Sequence, residues 1–334
     1  MAPQAHALFR DASPAALFTA CFSILSIAEV GGNVTALIAF NYWMRAFEYG
    51  SATVTVNFLC AFFYVLMFVP MAVTSACRYV ATSRHGRAAA LRRLRRVFLH
   101  PRQLGNAFLI ALSDCWIDIA STYAAGRTTV LTQVFAKSTE PLITFALTRL
   151  VLRETRKRAP TTFTRALPFA GFFFVAAGVV CHMYERLEER KHNEAATAFY
   201  IALYLTGVVG SSCYAITQAR FIRGATAAFE ALPLNEQEEG GEPNEEEHGE
   251  DPEIPRQLIR SMALAMDTTM TLVITLLVVP PLDTIPHFGH SKSYADVWTN
   301  LHDGVRCVAE CPGNLGYAVL TTGGWASVYL ADTF

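Results

Sequence analysis

Charged residues are scarce in this chain. Only 16% of its 334 residues are Asp, Glu, Lys or Arg, whereas 52% are apolar. Soluble globular domains contain about 25% charged residues, so the composition disfavours a soluble protein. The net charge is −1, which leaves no bulk positive charge to attract a polyanion. We therefore expect no nucleic-acid partner.

Catalytic and metal-binding signatures are missing as well. The sequence contains no HExxH, GxSxG or Walker A motif, and no paired Cys/His pattern of a metal site. We therefore predict a protein that is not an enzyme and that holds no cofactor or metal. The N-terminus does not resemble a signal peptide, because Asp11 follows Arg10 and the next apolar run is too long.

Long apolar runs dominate what the chain does contain. A helix that crosses a bilayer needs roughly 20 mostly apolar residues. Eight segments satisfy this requirement, so we predict an all-α polytopic membrane protein. The candidate spans cover residues 16–44, 51–77, 104–124, 128–151, 163–183, 195–219, 258–280 and 315–334.

Basic residues concentrate in alternate connectors between these spans. The connectors after the second and fourth spans are rich in Arg, and Arg also flanks the connector after the sixth. By the positive-inside rule these connectors face the cytosol, which makes residues 1–15 a cytosolic tail. The acidic tract 235–253 lies on the same side, and its Gly, Pro and high charge predict a disordered loop.

The third and fourth spans carry charge at membrane depth on either side of a short turn at Gly126–Arg127. Asp114 and Asp118 are four residues apart and share one face of the third span. Pro141, in the fourth span, allows either ordinary packing or a kink that lines a cavity. The polar stripe of the fourth span consists of Gln133, Lys137 and Glu140.

Two interpretations of these charges stay open. A lone ionised group at the bilayer centre costs at least about 2.5–3.5 kcal/mol, so Lys137 could neutralise an acid of the third span and fix the packing. Alternatively, the acids belong to a solute or proton path in a central cavity, because three acids of the two spans outnumber the one base, and Asp267 of the seventh span adds a fourth acid. The predicted path residues are Asp114, Asp118, Gln133, Lys137, Glu140 and Asp267.

Several motifs follow one another in a recognisable order. The third span contains an early Asp in ALSDCWIDIAS, and the fourth contains a central Gln in TTVLTQVFAKSTEPLI. The basic segment LTRLVLRETRKR follows, then the aromatic, Gly-rich ALPFAGFFFVAAGVVCHM, and later the Cys-bearing LHDGVRCVAECPGN. In this order the sequence resembles the chloroquine-resistance-transporter-like family of the drug/metabolite transporter superfamily.

The resemblance implies a fold of ten helices in two inverted repeats of five around a central cavity. Residues 16–191 would form the first repeat, and residues 192–334 would form an incomplete second repeat with a lumenal Cys loop at 281–314. Since the eighth span closes at Phe334, we expect either two further helices in a longer chain or an unusual eight-helix unit. Cys307 and Cys311 would form the one disulfide of that loop, with free thiols as the alternative.

The resemblance also implies a function. The family's members are secondary transporters of amino acids, peptides, thiols or cationic drugs, often coupled to protons, in vacuolar or lysosome-like membranes. Asp114 matches the acid of the third helix and Gln133 the Gln of the fourth, whereas Lys137 and Glu140 depart from a mostly neutral pattern. We expect alternating access, a small organic solute and protons as partners, contact with membrane lipid, and a monomer or weak homodimer.

Two other functions are compatible with the sequence. A non-transporting scaffold or receptor would recruit partners through the acidic tract 235–253. A nucleotide-sugar or phosphorylated-solute carrier of the same superfamily would instead need a basic cavity, which the excess of acids disfavours.

Overall fold

The regular structure of the chain is helical. A computed structural model describes residues 14–47, 51–83, 86–152, 194–231, 256–286 and 288–333, and every regular element in these ranges is a helix. The all-α prediction is therefore confirmed for them. The helices are α1 (Pro14–Ala46), α2 (Ala52–Thr82), α3 (Arg87–Phe98), α4 (Pro101–Ala125), α5 (Val130–Lys137), α6 (Glu140–Leu152), α7 (Glu194–Ala231), α8 (Arg256–Asp283), α9 (Tyr294–Glu310) and α10 (Asn314–Thr333).

Three sequence predictions fall on residues outside these ranges. They concern the fifth span at 163–183, the acidic tract 235–253 and nearly all of the tail 1–15. The turn predicted at Gly126–Arg127 lies inside the described residues and is confirmed: α4 ends at Ala125, and Thr129 caps α5 by accepting a hydrogen bond from the backbone N–H of Thr132 at 3.3 Å.

Four of the described helices are long and apolar enough to cross a membrane. They are α2, α4, α8 and the part of α7 from Ala198 onward. Large apolar side chains on these helices also point away from the bundle: Leu66 is 53% exposed and Leu277 is 69% exposed. Such outward apolar surface is costly in water and neutral in lipid, as expected of a membrane protein. The eight expected spans remain a prediction.

Helix pairs build the centre of the bundle. The most extensive contacts join α4 to α7, α1 to α10, and α2 to α8. In addition, α8 packs against α4, while α5 and α6 lie against α7. Helices that are distant in sequence therefore meet at the middle, where side chains of α2, α4, α7, α8 and α10 converge.

Small residues allow two of these pairs to approach closely. A Cβ atom on Gly32 of α1 would lie 2.8 Å from the backbone oxygen of Gly324 in α10, and Ala36 borders the same contact. In the α4–α7 pair, a Cβ on Gly207 would lie 3.0 Å from the Cβ of Ala120. Small residues spaced by four at a crossing are typical of helix association in membranes.

The connectors contain two amphipathic helices that the sequence analysis did not predict. The first, α3, lies in the Arg-rich connector between α2 and α4, and its Val97 and Phe98 are buried. The second, α9, occupies 17 residues of the segment 281–314, so the expectation of a loop there was wrong. Ser293 caps α9 by accepting a hydrogen bond from the backbone N–H of Asp296 at 3.3 Å, a common local signal for a helix start.

The predicted fourth span is not one continuous helix. It is divided into α5 and α6, so the expectation of a single span over 128–151 was wrong in this respect. The reason is local: Pro141 has no N–H to donate to the carbonyl of Lys137, and its ring crowds that carbonyl. The chain turns at Ser138 and Thr139, where the N–H of Thr139 donates to the oxygen of Ala136 at 3.1 Å.

The glycine contact between α1 and α10 gives a stability prediction. Gly32→Val should lower the free energy of unfolding by about 1–3 kcal/mol, because the new side chain would collide with the backbone of α10. Gly31→Val is the matched control, since a Cβ at Gly31 meets nothing within 4 Å. Thermal unfolding of the purified protein in detergent measures both. An equal loss in the two variants would contradict the close approach.

Candidate functional site

Three of the predicted path residues meet inside the bundle. Asp114 on α4 is 1% exposed and Asp267 on α8 is 2% exposed. The hydroxyl of Thr271, one turn after Asp267, lies 3.3 Å both from Asp267 Oδ1 and from the backbone oxygen of Ala111 on α4, so it can donate to either. Asp118, one turn after Asp114, lies close enough to interact electrostatically with both. Periodicity placed the first two acids on one face, but only the packing of α8 on α4 adds the third.

Tyrosines from three other helices cover these acids. The hydroxyl of Tyr329 on α10 donates to Asp114 Oδ1 at 2.6 Å. The ring of Tyr329 lies edge-on to Tyr64 of α2, with centroids 5.5 Å apart, and to Tyr214 of α7 at 5.8 Å. The hydroxyl of Tyr214 accepts a hydrogen bond from Gln218 at 3.3 Å. We call this group the acid–tyrosine cluster; its members are Asp114, Asp118, Asp267, Tyr64, Tyr214 and Tyr329.

The sequence analysis missed the tyrosines. Each lies in a predicted span, and a tyrosine has an apolar ring with a polar hydroxyl that needs a partner when it is buried. That requirement was the available signal, but the sequence does not say which acid a given hydroxyl meets.

The acid–tyrosine cluster leaves two of its carboxyl oxygens without a described partner. Asp118 Oδ2 and Asp267 Oδ2 are buried and have no hydrogen-bond partner within the described part of the chain. The ion pairs found in that part involve other residues. Breaking up a buried charge pair leaves a costly uncompensated charge, and the same cost applies to a buried acid that lacks a base. The cluster can meet this cost by taking up protons, water or a cationic group.

Gln133 is completely buried, but it lies apart from the acid–tyrosine cluster. Its side chain exchanges two hydrogen bonds with Asn41 of α1, of 3.0 and 3.1 Å, and donates to the hydroxyl of Thr128 at 3.1 Å. These contacts tie α5 to α1. Because protein groups occupy the amide, the geometry favours a packing role for Gln133 over contact with a solute.

Lys137 and Glu140 form an ion pair across the break between α5 and α6. Lys137 Nζ lies 2.8 Å from Glu140 Oε2, and both side chains are partly exposed, at 30% and 24%. Ser211 of α7 accepts a hydrogen bond from Lys137 at 3.2 Å and donates one to Glu140. Lys137 also lies 5.8 Å from the ring centre of Trp325 on α10. The partner of Lys137 is thus its neighbour Glu140, instead of an acid of the third span as the ion-pair interpretation proposed.

A further buried acid, Asp283, was not singled out from the sequence. Asp283, at the end of α8, accepts hydrogen bonds from the hydroxyl of Tyr123 at 3.3 Å and from Ser291. Asn300 of α9 donates to Ser291 at 2.8 Å. These contacts attach the segment before α9 to the end of α4. The sequence gives little sign of this role, because an Asp after Pro280 and Pro281 is also typical of an exposed helix end.

The cysteines of the connector are joined. Cys307 lies in the last turn of α9, Cys311 follows the end of that helix, and a disulfide links them with their Cα atoms 4.8 Å apart. This separation is within the usual range.

The sequence matches no protein-family model and no curated protein.

The amide pair predicts strong coupling between Gln133 and Asn41. Asn41→Leu should lower the free energy of unfolding by about 1–3 kcal/mol, because it leaves the buried amide of Gln133 without its main partner. The double variant Asn41→Leu/Gln133→Leu should lose less than the sum of the two single variants. Chemical unfolding in detergent measures this cycle. Additive losses would instead speak for independent roles.

The ion pair predicts that the two charges matter as a unit. Glu140→Gln should lower the free energy of unfolding by about 1 kcal/mol, because partial exposure limits the value of the pair. The exchange Lys137→Glu/Glu140→Lys should recover a good part of that loss by restoring opposite charges. Thermal unfolding of both variants checks this, and a swap as unstable as Glu140→Gln would contradict a simple ion pair.

Proposed function

We propose that this chain is a secondary transporter that moves small cationic organic solutes across an organellar membrane and couples their movement to protons. One observation carries the proposal: the acid–tyrosine cluster places Asp114, Asp118 and Asp267 inside helices long enough to cross a membrane. Ionisable groups at such depth are rare and usually mark solute or proton paths.

The composition of the cluster favours cationic solutes. Its acids supply negative charge without a nearby base among the described residues. The faces of aromatic rings such as those of Tyr64, Tyr214 and Tyr329 attract cations, and their hydroxyls can donate to or accept from a polar solute. A proton and a cationic solute would compete for the same carboxylates, and such competition is sufficient to couple their movements.

The pattern of helix pairing supports an inverted repeat, as the family resemblance implies. In such a repeat, the first three predicted spans, α1, α2 and α4, would correspond to the sixth to eighth, α7, α8 and α10. Under this correspondence the α1–α10 pair is equivalent to the α7–α4 pair, and the α2–α8 pair is equivalent to itself. These are the most extensive pairs of the bundle. The amphipathic helices α3 and α9 also lie in corresponding connectors, after α2 and after α8.

The broken fourth span fits a transport mechanism. Transporters of this kind often bind solutes at discontinuous helices near the membrane midplane, where a repeat rocks against its counterpart. Here the break between α5 and α6 carries the pair of Lys137 and Glu140 against Ser211. An ion pair at a break can open and close at modest cost because it is partly hydrated. We assign this pair to the wall of the path rather than to solute binding.

The alternative functions have less support. A nucleotide-sugar or phosphorylated-solute carrier would need a basic cavity, whereas the buried cluster is acidic. The scaffold or receptor alternative depends on the acidic tract 235–253, which lies outside the described residues, and no described contact favours it.

Uptake by the reconstituted full-length chain tests the proposal. Proteoliposomes with an imposed pH gradient are given radiolabelled arginine, tetraethylammonium or glutamate, and we expect gradient-dependent accumulation of a cationic probe. Asp114→Asn should reduce that accumulation by about tenfold or more, because the amide keeps the shape but cannot carry the exchangeable charge. Asp303→Asn is the matched control, since Asp303 is exposed on α9, and it should transport normally.

The same variants and probes show which part of the proposed transport function a negative result would contradict. Unchanged accumulation in Asp114→Asn would remove that residue from the mechanism. Equal losses in Asp114→Asn and Asp303→Asn would point to a general effect of charge and contradict a role of the cluster. Accumulation of glutamate in preference to both cations would overturn the proposed solute class.

A further inference from the structure

Helix α3 presents a basic surface that the proposed transport function does not use. Its exposed face carries Arg92, Arg95 and Arg96, with Leu91 and Leu99 at the two ends of the row. Leu91, Arg95 and Leu99 recur at intervals of four residues, so they lie above one another along the helix. Arg92, Arg95, Arg96 and Leu99 line a surface depression of about 450 Å³ together with His100. We call this depression the arginine groove.

The opposite face of α3 holds the groove in place. Val97 and Phe98 are buried, and the ring of Phe98 lies 6.2 Å from Phe221 and 5.7 Å from Phe229 of α7. The guanidinium of Arg93 lies 5.4 Å from the centre of the Phe229 ring and donates to the backbone oxygen of that residue. The arginines of the groove therefore extend from a helix that is fixed to the bundle.

The position of α3 places the groove at a membrane boundary. The helix connects α2 to α4, and both are long and apolar enough to cross a membrane. Leu91 is 56% exposed and Leu99 55% exposed, so apolar side chains flank the arginines at the surface. Helices with Arg on a polar face and Leu beside it are typical of the interface between lipid headgroups and acyl chains.

The donors of the groove suit a phosphate group. A guanidinium presents several N–H groups in a rigid fork that matches phosphate oxygens. Arg92 and Arg95 supply positive charge to the groove, and its lining residues include no Asp or Glu among those that the structure describes. A soluble anion would pair with Arg92 and Arg95 but leave the exposed leucines uncovered, whereas a phospholipid offers a phosphate and acyl chains together.

We propose that the arginine groove binds the phosphorylated headgroup of an anionic phospholipid, with Leu91 and Leu99 against its acyl chains. The positive-inside rule assigns this connector to the cytosolic side, so the lipid would come from the cytosolic leaflet. The site is independent of the acid–tyrosine cluster and of any transported solute. It would fix α3, and through α3 the cytosolic ends of α2, α4 and α7, to the membrane surface.

Binding of short-chain lipids to the full-length protein in detergent tests this proposal. The probes are dioctanoyl phosphatidylinositol 4-phosphate, dioctanoyl phosphatidylcholine and inorganic phosphate, titrated by microscale thermophoresis. We expect the phosphoinositide to bind most tightly. Arg92→Gln/Arg95→Gln should weaken its affinity by about tenfold or more, as expected for two basic residues near anionic headgroups.

Two further variants make the result specific. Arg87→Gln/Arg102→Gln removes the same charge from exposed positions at the start of α3 and of α4 that do not line the groove, and it should change affinity less than about twofold. Arg92→Lys/Arg95→Lys keeps the charge but loses the fork geometry, and we expect an intermediate loss.

Three results would contradict the proposed lipid site. Equal weakening by the two Gln pairs would show diffuse charge attraction and overturn a defined site. Phosphatidylcholine binding as tightly as the phosphoinositide would exclude recognition of an anionic headgroup. Inorganic phosphate binding as tightly as the phosphoinositide would identify a soluble anion, and not a lipid, as the ligand.

Discussion

A carboxylate inside a helix bundle must be compensated by a hydrogen-bond donor, a base, a proton or water, because its charge is poorly solvated there. The acid–tyrosine cluster meets this constraint only in part. Tyr329 and Thr271 donate to two of the acids, while one oxygen of Asp118 has no partner among the described residues. Donors for the cluster come from α8 and α10, so the packing of these helices around α4 is what makes the buried acids tolerable.

The chain compensates buried charge in two different ways. At the break between α5 and α6, Lys137 and Glu140 neutralise each other, and Ser211 satisfies both. In the acid–tyrosine cluster, the acids meet hydroxyl groups, which can donate a hydrogen bond but carry no positive charge. The first arrangement is complete without a further partner. Among the described residues, the second leaves Asp118 Oδ2 and Asp267 Oδ2 without a partner that a proton, water or a cationic group could supply. This difference is why the cluster and not the ion pair is the better candidate for a solute site.

The sequence predicted the parts of this structure that depend on local pattern. Spans of apolar residues predicted α2, α4 and α8 closely, and the spacing of Asp114 and Asp118 predicted a shared face. It did not predict what depends on the meeting of distant segments. The approach of Asp267 to Asp114 follows from the packing of α8 on α4, and hydropathy does not reveal which spans are neighbours.

Local signals were also misread in two places. The division of the fourth span follows from Pro141, for which the sequence leaves both ordinary packing and a kink open, while the apolar run predicts one continuous span. Long apolar runs do not predict α9, because an amphipathic helix of 17 residues has none. The cap at Ser293 was the readable signal. Asp114 illustrates the same limit at a finer scale: its depth is visible in the sequence, but its hydrogen-bond donor, Tyr329, comes from the other half of the chain. If the halves rock against each other as proposed, that hydrogen bond must break, and the acid then needs a proton or a cationic solute in its place. The geometry of Asp114 thus gives a physical reason for movement of the bundle and occupancy of the cluster to be linked.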